Sequence, residues 1–219
     1  MKNPNAEKKK QEILSQELPY EILVQDIKIS MKSYDVYPPG GLALEIYKLI
    51  EQGILNCRDK TILDLGCGSG IVSIAAARFG AKHVVALDIV EACVEATHSN
   101  ALLNHVKNII EARISNGLAS LSRDEQFDVI IYIAPQDDSV PENGLDYAFY
   151  DPSFNLLHEL AEKAKDHLRP NGKIILAYMD HNMERMPLDQ IFVGSKTRIL
   201  NRIGKDLSLV EITYPESGQ

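Results

Sequence analysis

A glycine-rich loop is the first feature whose residue types and spacing suggest chemistry. An apolar run that includes Leu63 and Leu65 leads into the loop, and small and apolar residues 71–78 follow it. This order is typical of a strand, a tight turn and a helix. Glycine allows the backbone to turn sharply and lets a ligand approach the main chain without a Cβ in between. We predict that a ligand lies against the loop residues Gly66, Cys67, Gly68, Ser69 and Gly70.

A carboxylate follows the loop at the distance expected for ribose binding. Asp88 closes the apolar run 83–87, 18 positions after Gly70. At the end of a neighbouring parallel strand it faces the same crevice, where it can accept hydrogen bonds from both ribose hydroxyls. The alternative is that Asp88 caps the helix that begins near Glu91.

A second carboxylate, Asp64, precedes the loop. Dinucleotide sites usually have an apolar residue there, because a carboxylate repels the pyrophosphate. S-adenosylmethionine has no phosphate and carries an ammonium and a sulfonium, so a carboxylate beneath the loop attracts it. Asp64 therefore favours a methyltransferase over a nicotinamide-dependent oxidoreductase.

The stretch Thr61–Asn104 resembles the class I S-adenosylmethionine-dependent methyltransferases, and a weaker resemblance extends over about Asp35–Tyr178. The most similar branch holds the ribosomal-protein lysine and release-factor glutamine methyltransferases. The resemblance implies that S-adenosylmethionine is bound and leaves as S-adenosylhomocysteine. It also implies that the loop glycines line the methionine portion, Asp88 binds the ribose and Ile89 packs on the adenine.

Two positions depart from that branch. Asn116 lies where the family often has an acidic residue for the adenine amino group; its amide oxygen can serve instead, or it is only a turn residue. The strand 127–133 ends in Asn-Pro-Pro-Tyr in the glutamine and adenine-amine enzymes, whose Asn binds a planar amide or amine. Here Ile133 replaces the Asn, Gln136 replaces the aromatic residue and Pro135 is retained. Ile133 can contact the cofactor but cannot bind an amide, so we expect neither glutamine nor a base amine as acceptor.

The long connection Gln136–Pro152 is the predicted acceptor region. It is rich in acidic and aromatic residues and leaves the carboxyl end of a strand, where α/β proteins bind ligands. The predicted acceptor contacts are Tyr37, Pro135, Tyr147 and Tyr150. The alternative is a solvated acidic loop whose tyrosines pack back on the domain.

The catalytic base is not assigned by the sequence. The candidates are Asp137, Asp138 and His181. Asp137 and Asp138, together with Asp180 and Asn182, could instead hold Mg²⁺, as in catechol-type O-methyltransferases. The surrounding motifs do not otherwise resemble that family, and we expect no metal.

Alternating strands and helices must position these residues. Continuous apolar runs separated by helical patterns predict parallel strands covered on both faces. We predict an α/β fold, a Rossmann-like doubly wound seven-stranded sheet, mostly parallel with a C-terminal antiparallel hairpin. Residues 56–219 would form this methyltransferase domain, and residues 1–55 an extension that either caps it or lies on its substrate side. The predicted strands after residue 55 are 61–65, 84–87, 108–112, 128–133, 173–178, 197–203 and 207–213.

The extension is predicted in three parts. Residues 1–16 are either frayed or a solvent-facing helix, and the alternation over Tyr20–Ser30 predicts a strand, possibly half of a hairpin. An amphipathic helix runs from Leu42 to near Gly53. The later helix is predicted over Ser153–Leu168.

Composition limits the class of protein. A net charge of −8 disfavours a nucleic-acid partner, which requires clustered Lys and Arg. Three cysteines without a paired spacing favour a reducing cytoplasm. We expect a soluble cytoplasmic enzyme without membrane contact that methylates an N or O atom of a small molecule or protein side chain. The alternatives are a catalytically degenerate cofactor-binding protein and an NAD-dependent oxidoreductase.

Overall fold

A seven-stranded sheet organises the computed structural model, which describes residues 3–215 apart from the side chains of His181 and Arg185. The strand order is β5-β4-β3-β6-β7-β9-β8, in which β9 is antiparallel to both of its neighbours and the other pairs are parallel. This confirms the predicted Rossmann-like sheet with its C-terminal hairpin. The strands are β3 (Thr61–Leu65), β4 (His83–Asp88), β5 (Ile110–Ile114), β6 (Phe127–Ile133), β7 (Leu168–Met179), β8 (Lys196–Ile203) and β9 (Leu207–Thr213).

Both faces of the sheet are covered, which explains its continuous apolar strands. Successive side chains point to opposite faces, so Ile62 and Leu63 enter different core clusters. One face packs on α2 (Leu42–Glu51), α3 (Ile71–Arg78) and α4 (Glu91–Leu103), and the other on α5 (Asn155–Lys163). Two short helices follow β7, namely α6 (Asp180–Arg185) and α7 (Leu188–Ile191).

Several predicted boundaries differ from the structure. The third strand of the core begins two residues later than predicted, at Ile110. The helix predicted over Ser153–Leu168 is divided, because α5 ends at Lys163 and a 3₁₀ turn occupies Ala164–His167 before β7 begins.

The segment Tyr20–Ser30, predicted as a strand and possibly half of a hairpin, contains both strands of a hairpin. These are β1 (Tyr20–Val24) and β2 (Ile27–Met31), joined by a turn at Gln25 and Asp26. Gln25 has a positive φ of 53°, which reverses the chain direction. Two consecutive polar residues, Gln25 and Asp26, interrupt the apolar–polar alternation at the turn, so the inward-facing positions change from 20, 22 and 24 to 27, 29 and 31.

Residues 4–14 form a helix, α1 (Pro4–Leu14), and are not frayed. The Asn3 side chain accepts a hydrogen bond from the N–H of Asn5 at 2.9 Å, and proline occupies the first helical position. One side of the helix is buried rather than solvent-facing: Ala6, Lys10 and Ile13 lie on it.

Two asparagines attach the hairpin to the sheet domain. Asn100 of α4 accepts a hydrogen bond from Ser30 N at 2.8 Å and donates one to Ser69 O at 3.0 Å. One turn later, the amide of Asn104 bonds both the N–H and the carbonyl of Lys28, at 3.0 and 2.7 Å. These amides satisfy edge-strand groups that would otherwise lack partners. The hairpin and α2 therefore share one core cluster with α3 and α4.

No helix within residues 3–215 is both long enough and apolar enough to cross a membrane.

Candidate functional site

A cavity of about 830 Å³ opens at the carboxyl ends of β3, β4 and β6. This is the edge where α/β sheets bind ligands, and the volume lies in the range of small-molecule sites. The cavity is bounded by residues 66–69 of the glycine loop, the segment 35–43, the ends of β4 and β6, the connection 144–152 and the start of α5.

The glycine loop holds its shape through the main chain. The N–H groups of Gly66 and Cys67 both donate to the carbonyl of Leu87, at 2.8 and 3.0 Å. Gly66 and Gly68 have φ of 77° and 53° and line the cavity, and a Cβ on either one would meet no protein atom within 4 Å. Their open side is therefore available to a ligand. Cys67 and Ser69 also line the cavity.

Gly70 has a different structural requirement. It precedes α3 with a φ of 82°, and a Cβ there would lie 2.9 Å from the Cα of Thr97. The close packing of α3 on α4 therefore requires glycine at this position. Gly70 is not part of the described cavity lining.

Asp88 joins the loop to the next strand end. One carboxylate oxygen accepts a hydrogen bond from Gly68 N at 2.9 Å, and the other accepts one from Val90 N at 3.0 Å. Each carboxylate oxygen has two acceptor positions, so acceptors remain for ribose hydroxyls. Burial raises the pKa of Asp88, and these backbone hydrogen bonds oppose the rise.

Asp64 lies in the cavity wall and is 4% exposed. One of its oxygens accepts a hydrogen bond from the Ser73 hydroxyl at 2.5 Å. Burial raises the pKa of Asp64 to about 6; the Ser73 hydrogen bonds lower it, and the charge of Asp88 raises it further. A buried carboxyl with this pKa gains a large advantage from a cationic neighbour.

The far end of the cavity has the composition expected for an adenine site. Ile89 is 37% exposed and lines the cavity together with Asn116. Glu159 of α5 also lines it and lies directly against Gly117. Sequence reasoning missed this carboxylate, because Glu159 is 43 positions after Asn116 and only the packing of α5 brings the two together.

The opposite end is an aromatic wall. Phe149 and Tyr37 pack edge to face with ring centroids 5.4 Å apart, and Tyr147, 41% exposed, lines the same end. Tyr150 is buried and also reaches the lining, as do Ile133 and Pro135. Tyr150 therefore packs back on the domain, as the alternative expects, while Tyr147 stays partly exposed, and both reach the cavity lining.

Two of the three candidate bases, Asp137 and Asp138, lie outside the described lining. Asp137 accepts a hydrogen bond from Ser139 N at 2.9 Å. The side chain of His181 lies outside the described part of the structure.

Gln136 occupies the position of the family's aromatic residue, and its side chain connects the ends of β6 and β7 by hydrogen bonds. Its Oε1 accepts a hydrogen bond from Met179 N at 2.8 Å, and its Nε2 donates to the carbonyl of Ala134. Asn182 donates to the Gln136 carbonyl at 3.0 Å, and Asp180 pairs with Arg202 at 3.1 Å. These contacts account for Asp180 and Asn182, two of the residues considered for Mg²⁺. The described residues contain no group of three or more His, Cys, Asp or Glu suited to a metal ion.

The described lining of the cavity is strongly anionic. It contains no Lys, Arg or His. Such a lining attracts cations and repels phosphate or carboxylate ligands. Its carboxylates are Asp35, Asp64, Asp88, Asp151 and Glu159.

Comparison with known proteins gives a family model match over residues 43–133, to the ribosomal protein L11 methyltransferase (PrmA) family. A ribosomal protein L11 methyltransferase of Lactobacillus johnsonii is 35% identical over 121 residues, 55% of this chain and 32% of the relative. The one from Herpetosiphon aurantiacus is 43% identical over 77 residues, 35% of this chain and 22% of the relative. The matches thus span about a third or less of these curated relatives.

Solved structures agree on the fold. A ribosomal protein L11 methylase from Lactobacillus delbrueckii subsp. bulgaricus has a TM-score of 0.59 at 25% identity, with 78% of each chain covered. Trm5 of Methanocaldococcus jannaschii, solved with adenosine, has a TM-score of 0.67 at 17% identity, covering 93% of this chain and 59% of that one. The chain has the fold and the sequence signature of the class I S-adenosylmethionine-dependent methyltransferases.

Proposed function

We propose that the protein transfers the methyl group of S-adenosylmethionine to an amine of a protein side chain or small molecule. The observation that carries this proposal is the cavity lining: a glycine loop stands between Asp64 and Asp88, and the described lining has no basic residue. Asp64 would attract the ammonium and Asp88 would bind the ribose hydroxyls. Gly66 and Gly68 would face the methionine portion, with Ile89 at the adenine.

The same lining argues against the alternative dinucleotide cofactor. A pyrophosphate bound at this loop would face Asp64 and Asp88 with no Lys, Arg or His in the described lining to balance its charge. S-adenosylmethionine carries positive charges, so the same two carboxylates would attract it instead of repelling it.

The reaction is an in-line displacement. The acceptor lone pair forms a bond to the methyl carbon while the carbon–sulfur bond breaks, and its electron pair returns to sulfur. An acceptor that binds as an ammonium ion gives up one proton to solvent or to a wall carboxylate before this attack, which exposes its lone pair, and the methylated amine leaves as the ammonium ion. Because the sulfonium is already activated, the protein mainly aligns the partners and excludes water, which the wall of Tyr37 and Phe149 supports.

Two features indicate the class of acceptor: the negative charge of the cavity lining and the isoleucine at position 133. Ile133 offers no side-chain hydrogen bond to an amide, whereas the anionic lining attracts the ammonium form of an amine. The relatives are named for ribosomal protein L11, so this protein is the first acceptor to test. A nucleic acid is the disfavoured acceptor, because its phosphates would meet the same carboxylates. We propose the cytoplasm as the compartment.

The direct test measures S-adenosylhomocysteine released from S-adenosylmethionine with ribosomal protein L11, a lysine derivative, a release-factor glutamine peptide or adenine-containing DNA. We expect turnover on the order of 1 s⁻¹ with an amine acceptor only. Turnover confined to the glutamine peptide or DNA contradicts the amine proposal. Binding of NAD but not of S-adenosylmethionine contradicts the cofactor proposal.

Replacing Asp88 by alanine is expected to weaken S-adenosylhomocysteine binding by about 1–3 kcal/mol, because two charge-assisted hydrogen bonds to ribose are lost. Asp128→Ala is the matched control: its carboxylate also accepts a backbone N–H, that of Thr61 at 2.8 Å, but it is absent from the described lining. Calorimetry should show weaker binding in Asp88→Ala alone. Equal affinity in folded Asp88→Ala and wild type rejects the ribose assignment.

Replacing Tyr147 by alanine is expected to raise the acceptor KM by about tenfold, since a half-exposed aromatic wall is worth about 1–2 kcal/mol. The Kd for S-adenosylhomocysteine should not change. Tyr34→Ala is the control, because Tyr34 is similarly exposed, at 38%, and is not in the described lining. Steady-state kinetics that show the same KM in both variants remove Tyr147 from the acceptor site.

A further inference from the structure

A buried ion pair links the N-terminal helix to the wall of the cavity. Lys10 of α1 and Asp146 of the connection 136–152 lie 2.5 Å apart, with side chains 10% and 0% exposed. Glu7 is 3.1 Å from the same ammonium and accepts a hydrogen bond from the Tyr150 hydroxyl at 2.8 Å. We call Glu7, Lys10, Asp146 and Tyr150 the helix–loop cluster.

The cluster is charged. Burial lowers the pKa of Lys10, but the hydrogen bonds and charges of Asp146 and Glu7 outweigh it and leave the pKa above its usual value. The ammonium also lies 5.7 Å from the centre of the Tyr150 ring. A lysine on the buried side of a helix is stable only if its charge is paired, and removal of one partner leaves the other charge buried.

Asp146 also shapes the connection itself. Its second oxygen accepts a hydrogen bond from Glu142 N at 2.9 Å, and its own N–H donates to the Asn143 side chain at 3.1 Å. The ion pair therefore attaches α1 to the centre of a 3₁₀ turn, Gly144–Ala148.

The other side of the same turn faces the cavity. Gly144 lines it and approaches Asp35 so closely that a Cβ would lie 2.6 Å from the carboxylate carbon. Three residues after Asp146, Phe149 packs on Tyr37. A shift of Asp146 would therefore move the aromatic wall, while the glycine loop 66–70 belongs to different elements.

From this geometry we infer that α1 supports the acceptor site from outside the described lining, and that Lys10 is a positioning residue that holds the acceptor wall in place through Asp146. The inference rests on the proposed methyltransferase function for its kinetic consequence. Its structural consequence, that the connection loosens without Lys10, is independent of any activity. Neither Lys10 nor Asp146 is in the described lining, so both act through the residues that are.

The test compares Lys10→Met with Lys9→Met in the full chain. Methionine keeps the length and apolar stem of lysine, and Lys9 is the matched control because its pair with Glu12 is exposed, at 44% and 52%. We expect hydrogen exchange of residues 137–151 to accelerate by at least about tenfold in Lys10→Met and to remain unchanged in Lys9→Met. The Kd for S-adenosylhomocysteine should stay within about twofold of wild type in both.

Kinetics supply the second measurement. With ribosomal protein L11 or lysine methylamide as acceptor, Lys10→Met should raise KM by at least about tenfold with a smaller effect on kcat. If the wild type transfers methyl to neither acceptor, the proposed function fails, while the exchange result still decides whether Lys10 holds the wall. If Lys10→Met does not fold, Glu7→Gln removes one of the two carboxylate partners of Lys10 and should produce the same changes at smaller size.

The double variant Lys10→Met/Asp146→Asn separates charge from packing. Because both members of the ion pair are replaced together, its exchange rate should rise by less than the product of the increases measured in Lys10→Met and in Asp146→Asn alone. Unchanged exchange in folded Lys10→Met overturns the inference. So does a loss of S-adenosylhomocysteine affinity equal to the loss of acceptor affinity, because Lys10 would then support the domain as a whole.

Discussion

Replacement of Gly68 by valine is expected to lower S-adenosylhomocysteine affinity by at least about a hundredfold, or about 2.7 kcal/mol. Gly68 has a φ of 53°, and a Cβ there would project into space that holds no protein atom within 4 Å. That space belongs to the cavity. The valine side chain would occupy the place of the ligand, and its β-branch would also disfavour the left-handed conformation that holds the loop.

The control separates these two effects. Gly53 also has a positive φ, 70°, and open space around its Cβ position, but it is not in the described lining. Gly53→Val should therefore show a comparable backbone penalty in thermal unfolding and near wild-type affinity in calorimetry. Normal affinity in folded Gly68→Val would falsify the assignment of this loop as the ligand cradle.

The cofactor side of the molecule is predictable because its signals are local. The apolar run before Gly66, the loop and the closing Asp88 are close in sequence, and each has one physical reason for its place. The parallel strands followed from continuous apolar runs, since only strands buried on both faces tolerate them. The C-terminal hairpin followed from the short turn at residues 204–206, and β8 and β9 confirm it.

The acceptor side depends on contacts between distant segments, which one sequence does not reveal. In the sequence Lys10 belongs to a charged run, and its ion pair with Asp146, 136 positions later, follows only from the packing of α1. From the sequence, Gln136 is only a replacement for the family's aromatic residue. In the structure its side chain connects the ends of β6 and β7 by hydrogen bonds. The turn at Gln25 and Asp26 has a local signal in the sequence, because two consecutive polar residues shift the alternation by one position, from Val24 to Ile27.

The second large effect is a loss of cofactor affinity in acid. Burial raises the pKa of Asp64 to about 6, so the free protein takes up a proton there as the pH falls through that value. The ligand ammonium favours the ionised carboxylate. The affinity is therefore highest well above pH 6. It falls by about tenfold for each pH unit below 6, until the pH reaches the lower pKa that Asp64 has in the bound state. Calorimetry should give a Kd for S-adenosylhomocysteine about tenfold higher at pH 5 than at pH 7.5.

Two variants assign this pH dependence to Asp64 rather than to Asp88, whose pKa burial also raises. Asp64→Asn removes the charge at every pH, so its affinity should be low at pH 7.5 and nearly flat between pH 5 and 7.5. The Ser73 hydroxyl donates a hydrogen bond to Asp64, and this bond lowers the pKa of Asp64. Ser73→Ala removes the bond, so the pKa of Asp64 should rise. The carboxyl then keeps its proton to higher pH, and the loss of affinity should begin above pH 6. A wild-type Kd that is the same at pH 5 and 7.5, or a Ser73→Ala profile shifted toward acid, contradicts a role for Asp64 in holding the ammonium.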